Sequence, residues 1–374
     1  MSRVLLTTLR TPLRLTSKTS RLPSLSPSPA LRHVISPAAA IQTRWSSHSP
    51  MGTAPAQTRK PVTINTLQAM YRKGEPIAMI TAYDFPSAHV ADHVGMDIIL
   101  VGDSLAMVAL GMEDTSEVLL EEMLLHCKSV ARATRAAFTV CIPHNRIPSI
   151  KAIVVLTLAS QVGDLPMGSY EISPAQALTS SIQVIKTGRM KAVKLEGGAE
   201  MAPTIRTITQ AGIPVLAHIG LTPQRANSLG GFRVQGKTAA SAARLLSDAR
   251  AVQDAGAFAV VLEAVPAEVA EVVTRELRIP TISIGAGNGC SGQVLVQTDL
   301  LGNFPPGRFL AKFAKQYGNV WQEAERALGE YRRDVKARTY PAKEHTYPMS
   351  EDAFSEFEKK VEEEKRTKEG ATEK

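Results

Sequence analysis

An apolar run that stops at a glycine or an ionisable residue, and then gives way to a helix-like stretch, recurs along this chain. The clear cases are PIAMITAYD (76–84), DIILVGDS (97–104), KAVKLEGG (191–198), PVLAHIG (214–220), FAVVLEAV (258–265) and TISIGAG (281–287). GDLP at 163–166 and RFLAKFAKQY at 308–317 complete a set of eight. Short runs rich in Val and Ile read as fully buried strands. Helical stretches such as SEVLLEEMLLHCKSVARAT and TAASAARLLSDARAVQDAG lie between them, the second closed by Gly256 as a C-terminal cap. Eight strands alternating with helices over about 260 residues predict an α/β fold, a (β/α)8 barrel. A doubly wound open sheet is the alternative, but it calls for a glycine fingerprint after the first strand, and TAYDFPSA is not one.

The barrel reading gives the strand ends a meaning, because barrel active sites lie at the C-terminal ends of the strands. Those ends carry Asp84, Asp103, Asp164, Glu196, His218 and Glu263. Asp103, Asp164 and Glu196 are hard oxygen donors with too little histidine or cysteine nearby for a zinc site. Such a set suits Mg2+, which keeps waters and takes a few carboxylates plus substrate oxygens. Asp103 in GDS also has the makings of a helix N-cap. Lys194 and Glu196 stand two apart on a strand and so share a face. They form either a buried ion pair filling a barrel layer, or a cation for a substrate carboxylate beside an acid of the metal site. His218 is a core histidine or a site residue. Glu263 ends an apolar strand with no cation nearby in sequence, a setting that raises a carboxyl pKa as a general base requires. IGAGNG (284–289) lacks a glycine-rich partner in the eighth segment, which disfavours phosphate binding. NSLGGFRVQG (227–236) is long enough for a lid or a plain loop.

The formal charge of +8 does not point to nucleic acid, because of where it sits. Residues 1–60 hold nine of the 43 Lys and Arg and no acid, which leaves 34 bases against 35 acids in the remainder. That Arg-, Ser- and Leu-rich start predicts a mitochondrial transit peptide over residues 1–45, cleaved near Arg44 to Ser47; a basic tail is the plainer reading. No apolar run approaches the length of a membrane span. Cys127, Cys141 and Cys290 are too scattered for a disulfide framework or a thiolate metal site. The charge-dense residues 350–374 read as a solvated helical tail without chemistry.

In order, TAYD, LVGDSLAM, GDLPMGSY, VKLEGG, AHIGLTPQ, GGFRVQG, VLEAVP and SIGAGN closely resemble the ketopantoate hydroxymethyltransferases. The resemblance runs from about Thr63 to EHTYP near residue 348, so that residues 60–349 form the expected catalytic barrel. It implies a barrel of the phosphoenolpyruvate/pyruvate type in a homo-oligomer. It also implies transfer of a one-carbon unit from 5,10-methylenetetrahydrofolate to 3-methyl-2-oxobutanoate with Mg2+. Carried over by motif, Asp103 and Asp164 bind Mg2+ with Glu196 completing the metal site. Asp103, Ser104 and Lys194 contact the oxo acid, His218 sits beside it, and Glu263 accepts the proton. A lyase using the same enolate chemistry on the same barrel is the second reading.

One segment departs from the family. Residues 140–161, VCIPHNRIPSIKAIVVLTLASQ, intervene where AAFT should run into VGDLPMG. Val140–Cys141 can be encoded by GTATGT, Leu156–Thr157 by CTAAC and Gln161 by CAG, the donor, branch-point and acceptor sequences of an intron. Its 22 codons make 66 nucleotides, in frame. The segment reads as a translated intron, with a genuine surface loop as the alternative. A chain carrying it stands as an inactive isoform in the third reading.

Overall fold

The computed structural model describes residues 61–134 and 160–372, all within Pro55–Lys374, the second of two units into which the chain divides. The expected transit segment 1–45 and residues 140–159 of the inserted segment lie outside the described residues. Eight parallel strands close into a barrel in chain order: β1 (Ile77–Thr81), β2 (Ile98–Val101), β3 (Ser160–Asp164), β4 (Ala192–Glu196), β5 (Val215–Gly220), β6 (Ala259–Glu263), β7 (Thr281–Ile284) and β8 (Gly292–Leu295).

The last strand corrects the sequence reading. RFLAKFAKQY has no regular structure; GQVL closes the ring instead, pairing with β1 through Ile77↔Gly292 and with β7 through Ser283↔Gln293. Only residues 285–291 join β7 to β8, with no helix between them, so the alternation that marks the other strands is missing there. The strand at GDLP also begins earlier than GD: Ser160 and Gln161, the last two residues of the inserted segment, open β3.

Side chains alternate across each strand and divide the apolar residues into two layers. Ile80, Ile99, Val101, Val193, Ala217, Val260 and Leu262 face the surrounding helices. Met79, Ile98, Leu100, Val162, Ala192, Leu216, Val261, Ile282 and Val294 fill the interior. The helix Ile64–Lys73 adds Leu67 and Met70 to that interior cluster; burying each contributes roughly 1.5–3 kcal/mol. Thr63 caps this helix with a reciprocal bond to Thr66, and Gly74 ends it in the left-handed region at φ 69°. Ser160 at the start of β3 apart, the interior becomes polar toward the strand C-termini.

Helices Phe85–His93, Leu120–Ala133, Pro174–Lys186, Ala202–Gln210, Ala239–Asp254 and Ala267–Glu276 lie within the first six inter-strand connections, in that order. Ala239–Asp254 gives way through Ala255 to Gly256, which takes the positive φ of 100°. At Gly163 a Cβ would stand 2.6 Å from Val184, so glycine lets the helix Pro174–Lys186 approach the strand just before Asp164. The chain ends in helices Val320–Ala337 and Glu351–Thr372, the first with no buried residue.

Candidate active site

Strand register brings distant residues side by side. Asp164 is the Cα partner of Lys194, and Glu196 of His218; these four side chains point inward. Gly220 partners Glu263, and its φ of 95° admits no ordinary side chain: a Cβ there would stand 2.4 Å from the Glu263 carbonyl oxygen. Asp103, Ser104, Asp164, Lys194, Glu196, His218 and Glu263 all line one cavity of about 140 Å3. That is well under the roughly 300–1,000 Å3 of sites for drug-sized ligands, and suits a small acid.

Asp84 corrects the strand-end reading. It does not line this cavity; its carboxylate accepts the Ser87 N–H at 2.8 Å and caps the helix Phe85–His93. Asp103 is the converse case. The short helix Leu105–Val108 that follows has no side-chain cap, so Asp103 is left to the cavity.

The Lys194 ammonium touches Asp164 Oδ2 and lies 3.8 Å from Glu196 Oε1. His218 bridges two acids, with Nδ1 3.2 Å from Glu196 Oε1 and Nε2 3.1 Å from Glu263 Oε2. Glu263 is therefore not isolated from cations, as its sequence surroundings suggested. Burial works against a charge on His218, but Glu196 and Glu263 outweigh it and push the ring up to about 9, so it is an imidazolium at neutral pH. Burial likewise opposes charge on Glu196, yet His218, Lys194 and the Gln224 N–H hold it below the usual carboxylate range. Desolvation raises Asp103, and Glu196 adds to the effect while Lys194 opposes it. It raises Asp164 to about 8 despite the touching ammonium. The same acids raise Lys194 above its ordinary value, and the pair's close contact supports the ionised form of both.

Several of these oxygens are ready for a cation. Asp164 Oδ1 is buried without a hydrogen-bond partner, and Glu196 Oε1 has none beyond its charge contacts with His218 and Lys194. Five carboxylates line the cavity wall; Asp299 pairs with Arg308, and the other four, Asp103, Asp164, Glu196 and Glu263, face two cations, Lys194 and His218, an excess of acid that a dication would offset. Among the described residues no three such groups converge as a finished metal cage. Mg2+ does not need one, since it is held by one or two carboxylates with waters and substrate oxygens filling the rest. The donor set fits Mg2+.

The structure adds wall residues that the strand-end reading did not name. Thr115 and Phe313 line the cavity, as does Asp299, which pairs with Arg308 at 3.2 Å. Gln224 and Tyr170 stand behind the carboxylates. Each closes one of the motifs quoted above, AHIGLTPQ and GDLPMGSY, which was the signal available for them.

The sequence profile described as Ketopantoate hydroxymethyltransferase matches residues 61–151 and 149–343, two stretches that meet inside the inserted segment. A 3-methyl-2-oxobutanoate hydroxymethyltransferase from Emericella nidulans is 60% identical over 344 residues, 92% of this chain and 91% of its own. The 3-methyl-2-oxobutanoate hydroxymethyltransferase 2, mitochondrial, of Oryza sativa subsp. japonica is 48% identical over 288 residues, 76% of this chain and 67% of its own. Among solved structures, the 2,3-dimethylmalate lyase of the PEP mutase/isocitrate lyase superfamily is similar with a TM-score of 0.45 at 17% identity, over 82% of this chain and 98% of that one. With a profile match across most of the chain and such identity to a named hydroxymethyltransferase, the protein belongs to the ketopantoate hydroxymethyltransferase family.

Proposed function

We propose that this site transfers a hydroxymethyl group from 5,10-methylenetetrahydrofolate to 3-methyl-2-oxobutanoate, giving 2-dehydropantoate in pantothenate synthesis. The observation that carries the reading is the pairing of the carboxylate rim with the His218–Glu263 contact over one small cavity. Asp103 and Asp164 would hold Mg2+, with Glu196 completing its site. Bound there, Mg2+ would act as a Lewis acid toward the carboxylate and keto oxygens of the oxo acid.

The chain's own residues do the rest. Lys194, ionised and buried, places positive charge beside the substrate's oxygens, together with the hydroxyl of Ser104 at the cavity wall. Glu263 takes the proton from C3, and His218 holds that carboxylate in place at 3.1 Å. The electron pair left on C3 forms the bond to the folate-delivered methylene carbon. The two bonds from that carbon to the folate nitrogens break, water supplies the hydroxyl oxygen, and the C3 proton with one proton of the water pass to those nitrogens as tetrahydrofolate leaves. Substrate-dependent release of tetrahydrofolate with formation of 2-dehydropantoate tests the reading as a whole; turnover without a folate donor would favour lyase-type chemistry.

The base has its own test. Glu263→Gln is expected to bind the oxo acid nearly normally and to lose roughly 100-fold in exchange of its C3 proton with deuterated water. That exchange needs no folate, so wild-type exchange in the variant would assign the base elsewhere.

The protein is also proposed to act in mitochondria as a homo-oligomer; the name of the rice relative supports the address. Residues 1–45 fused to a fluorescent protein are expected to direct it to mitochondria, and a diffuse cytosolic signal would contradict the address.

A further inference from the structure

The Gln224 side chain has three of its four hydrogen-bonding positions in use, both N–H donors among them. Nε2 donates to Asp103 Oδ2 at 2.8 Å and to the Leu165 carbonyl at 3.0 Å. Oε1 accepts the Tyr170 hydroxyl at 2.6 Å. The backbone N–H of the same residue donates to Glu196 Oε2 at 3.1 Å. Gln224 is 3% exposed and Tyr170 fully buried, so water does not compete for these bonds.

The orientation of the amide follows from its partners. A backbone carbonyl and a carboxylate can only accept, so the face toward Leu165 and Asp103 must be the NH2 group. Turned over, the amide would set its oxygen against both. The Tyr170 hydroxyl, with a proton to give, makes the observed orientation the favourable one. One residue thus holds an oxygen of Asp103, from the end of β2, and an oxygen of Glu196, from β4. Both acids stand on the wall of the same cavity, where like charges repel. The reading of the carboxylate rim given above puts both in the metal site, and groups that orient metal-binding carboxylates govern affinity nearly as much as the ligands do.

We propose that Gln224, locked in orientation by Tyr170, is a positioning residue that sets Asp103 and Glu196 for a divalent cation and thereby for the oxo acid. It touches neither in this assignment and acts through the two carboxylates. The inference rests on the metal reading of the site, and the experiment separates the two.

Mg2+ binding is measured by calorimetry on the wild-type protein, on Tyr170→Phe, on Gln224→Leu and on the double variant, with a thermal melt for each. Wild-type protein that binds no Mg2+ overturns the metal reading and the brace with it. If the wild type binds, Gln224→Leu is expected to weaken Mg2+ by roughly 10- to 100-fold. Tyr170→Phe keeps the ring and frees the amide, so it should lose less, by several-fold. The double variant should stay close to Gln224→Leu alone, because the Tyr170 hydroxyl acts mainly through the amide at 2.6 Å, its other acceptor being the Glu196 carbonyl at 3.5 Å. In steady state the KM for the oxo acid should rise with the metal constant while kcat at saturating Mg2+ stays close to wild type. Folded variants with lowered melting temperatures and wild-type Mg2+ affinity would show a purely structural role and defeat the proposal. Additive losses in the double variant would defeat the Tyr170 lock. Should Gln224→Leu not accumulate as folded protein, Tyr170→Phe decides alone.

Discussion

A chain lacking residues 140–161 is expected to accumulate as soluble protein in higher yield than the full-length chain and to turn over about 100-fold faster. The reason lies in β3. In the full chain the strand opens with Ser160 and Gln161, and Gln161 is completely buried on the face toward the helices. Its Oε1 has no hydrogen-bond partner, while its Nε2 donates to Thr134 Oγ1. A buried polar atom left unpaired costs about 1–3 kcal/mol. In the shortened chain Phe138 and Thr139 would precede Val162. Threonine would replace the amide on the outer face, and phenylalanine would join Ile98 and Val162 on the inner one.

The connection also changes. The helix Leu120–Ala133 is capped by Thr134, and deletion leaves only residues 135–137 before the strand. That lies within the roughly 2–6 residues usual for a helix-to-strand link. β3 ends on Asp164, and a shift of about 1 Å at a catalytic group can lower the rate on the order of 100-fold. The two stretches matched by the family profile meet at 149–151, inside the segment, as they would for an insertion of either origin. Sequencing of mature transcripts is expected to show the 66 nucleotides removed. A long form that predominates among the messages and matches the short one in yield and turnover would refute both the expectation and its cause.

Asp164→Asn is expected to lower turnover on the order of 10³-fold and to weaken Mg2+ binding, with Asp103→Asn acting in the same direction. A neutral amide is a poor ligand for a hard dication, and losing about 4 kcal/mol of transition-state charge stabilisation corresponds to that factor. Asp164 also touches the buried Lys194. Removing one partner of a buried ion pair is destabilising by roughly 3–5 kcal/mol when nothing replaces it. Here Glu196 remains 3.8 Å from the ammonium, which moderates the loss. Calorimetry with Mg2+ and a thermal melt on the same samples separate the effects: lowered melting temperature with unchanged Mg2+ affinity in both variants would make these carboxylates structural.

Much of this architecture was legible before any coordinates. A strand in a barrel is covered by helices outside and by other strands' side chains inside, so it must be apolar along its length. Ionisable residues then survive only at its end, where the cavity opens. That rule located β1, β2 and β4 to β7, together with Asp103, Glu196, His218 and Glu263, whereas Asp164 came from GDLP, whose strand SQVGD has no apolar run to mark it. It failed where its premise failed. β8 follows β7 without a helix and is only four residues long, GQVL, so neither alternation nor length marked it. Asp84 satisfies the rule and yet is a helix cap, because a carboxylate at a strand end and one at a helix start have the same sequence signature.

The sequence by itself determined the barrel and the set of residues eligible for its mouth, since both follow from local burial and period. Which of those residues meet was decided only by the tertiary structure. Parallel register put Asp164 beside Lys194 and Glu196 beside His218, and closure of the barrel brought the amide of Gln224 to Asp103, 121 positions earlier in the chain. Ion pairs and hydrogen bonds act over about 3–4 Å. Separation along a chain carries no information at that distance until strand pairing and ring closure have fixed the neighbours.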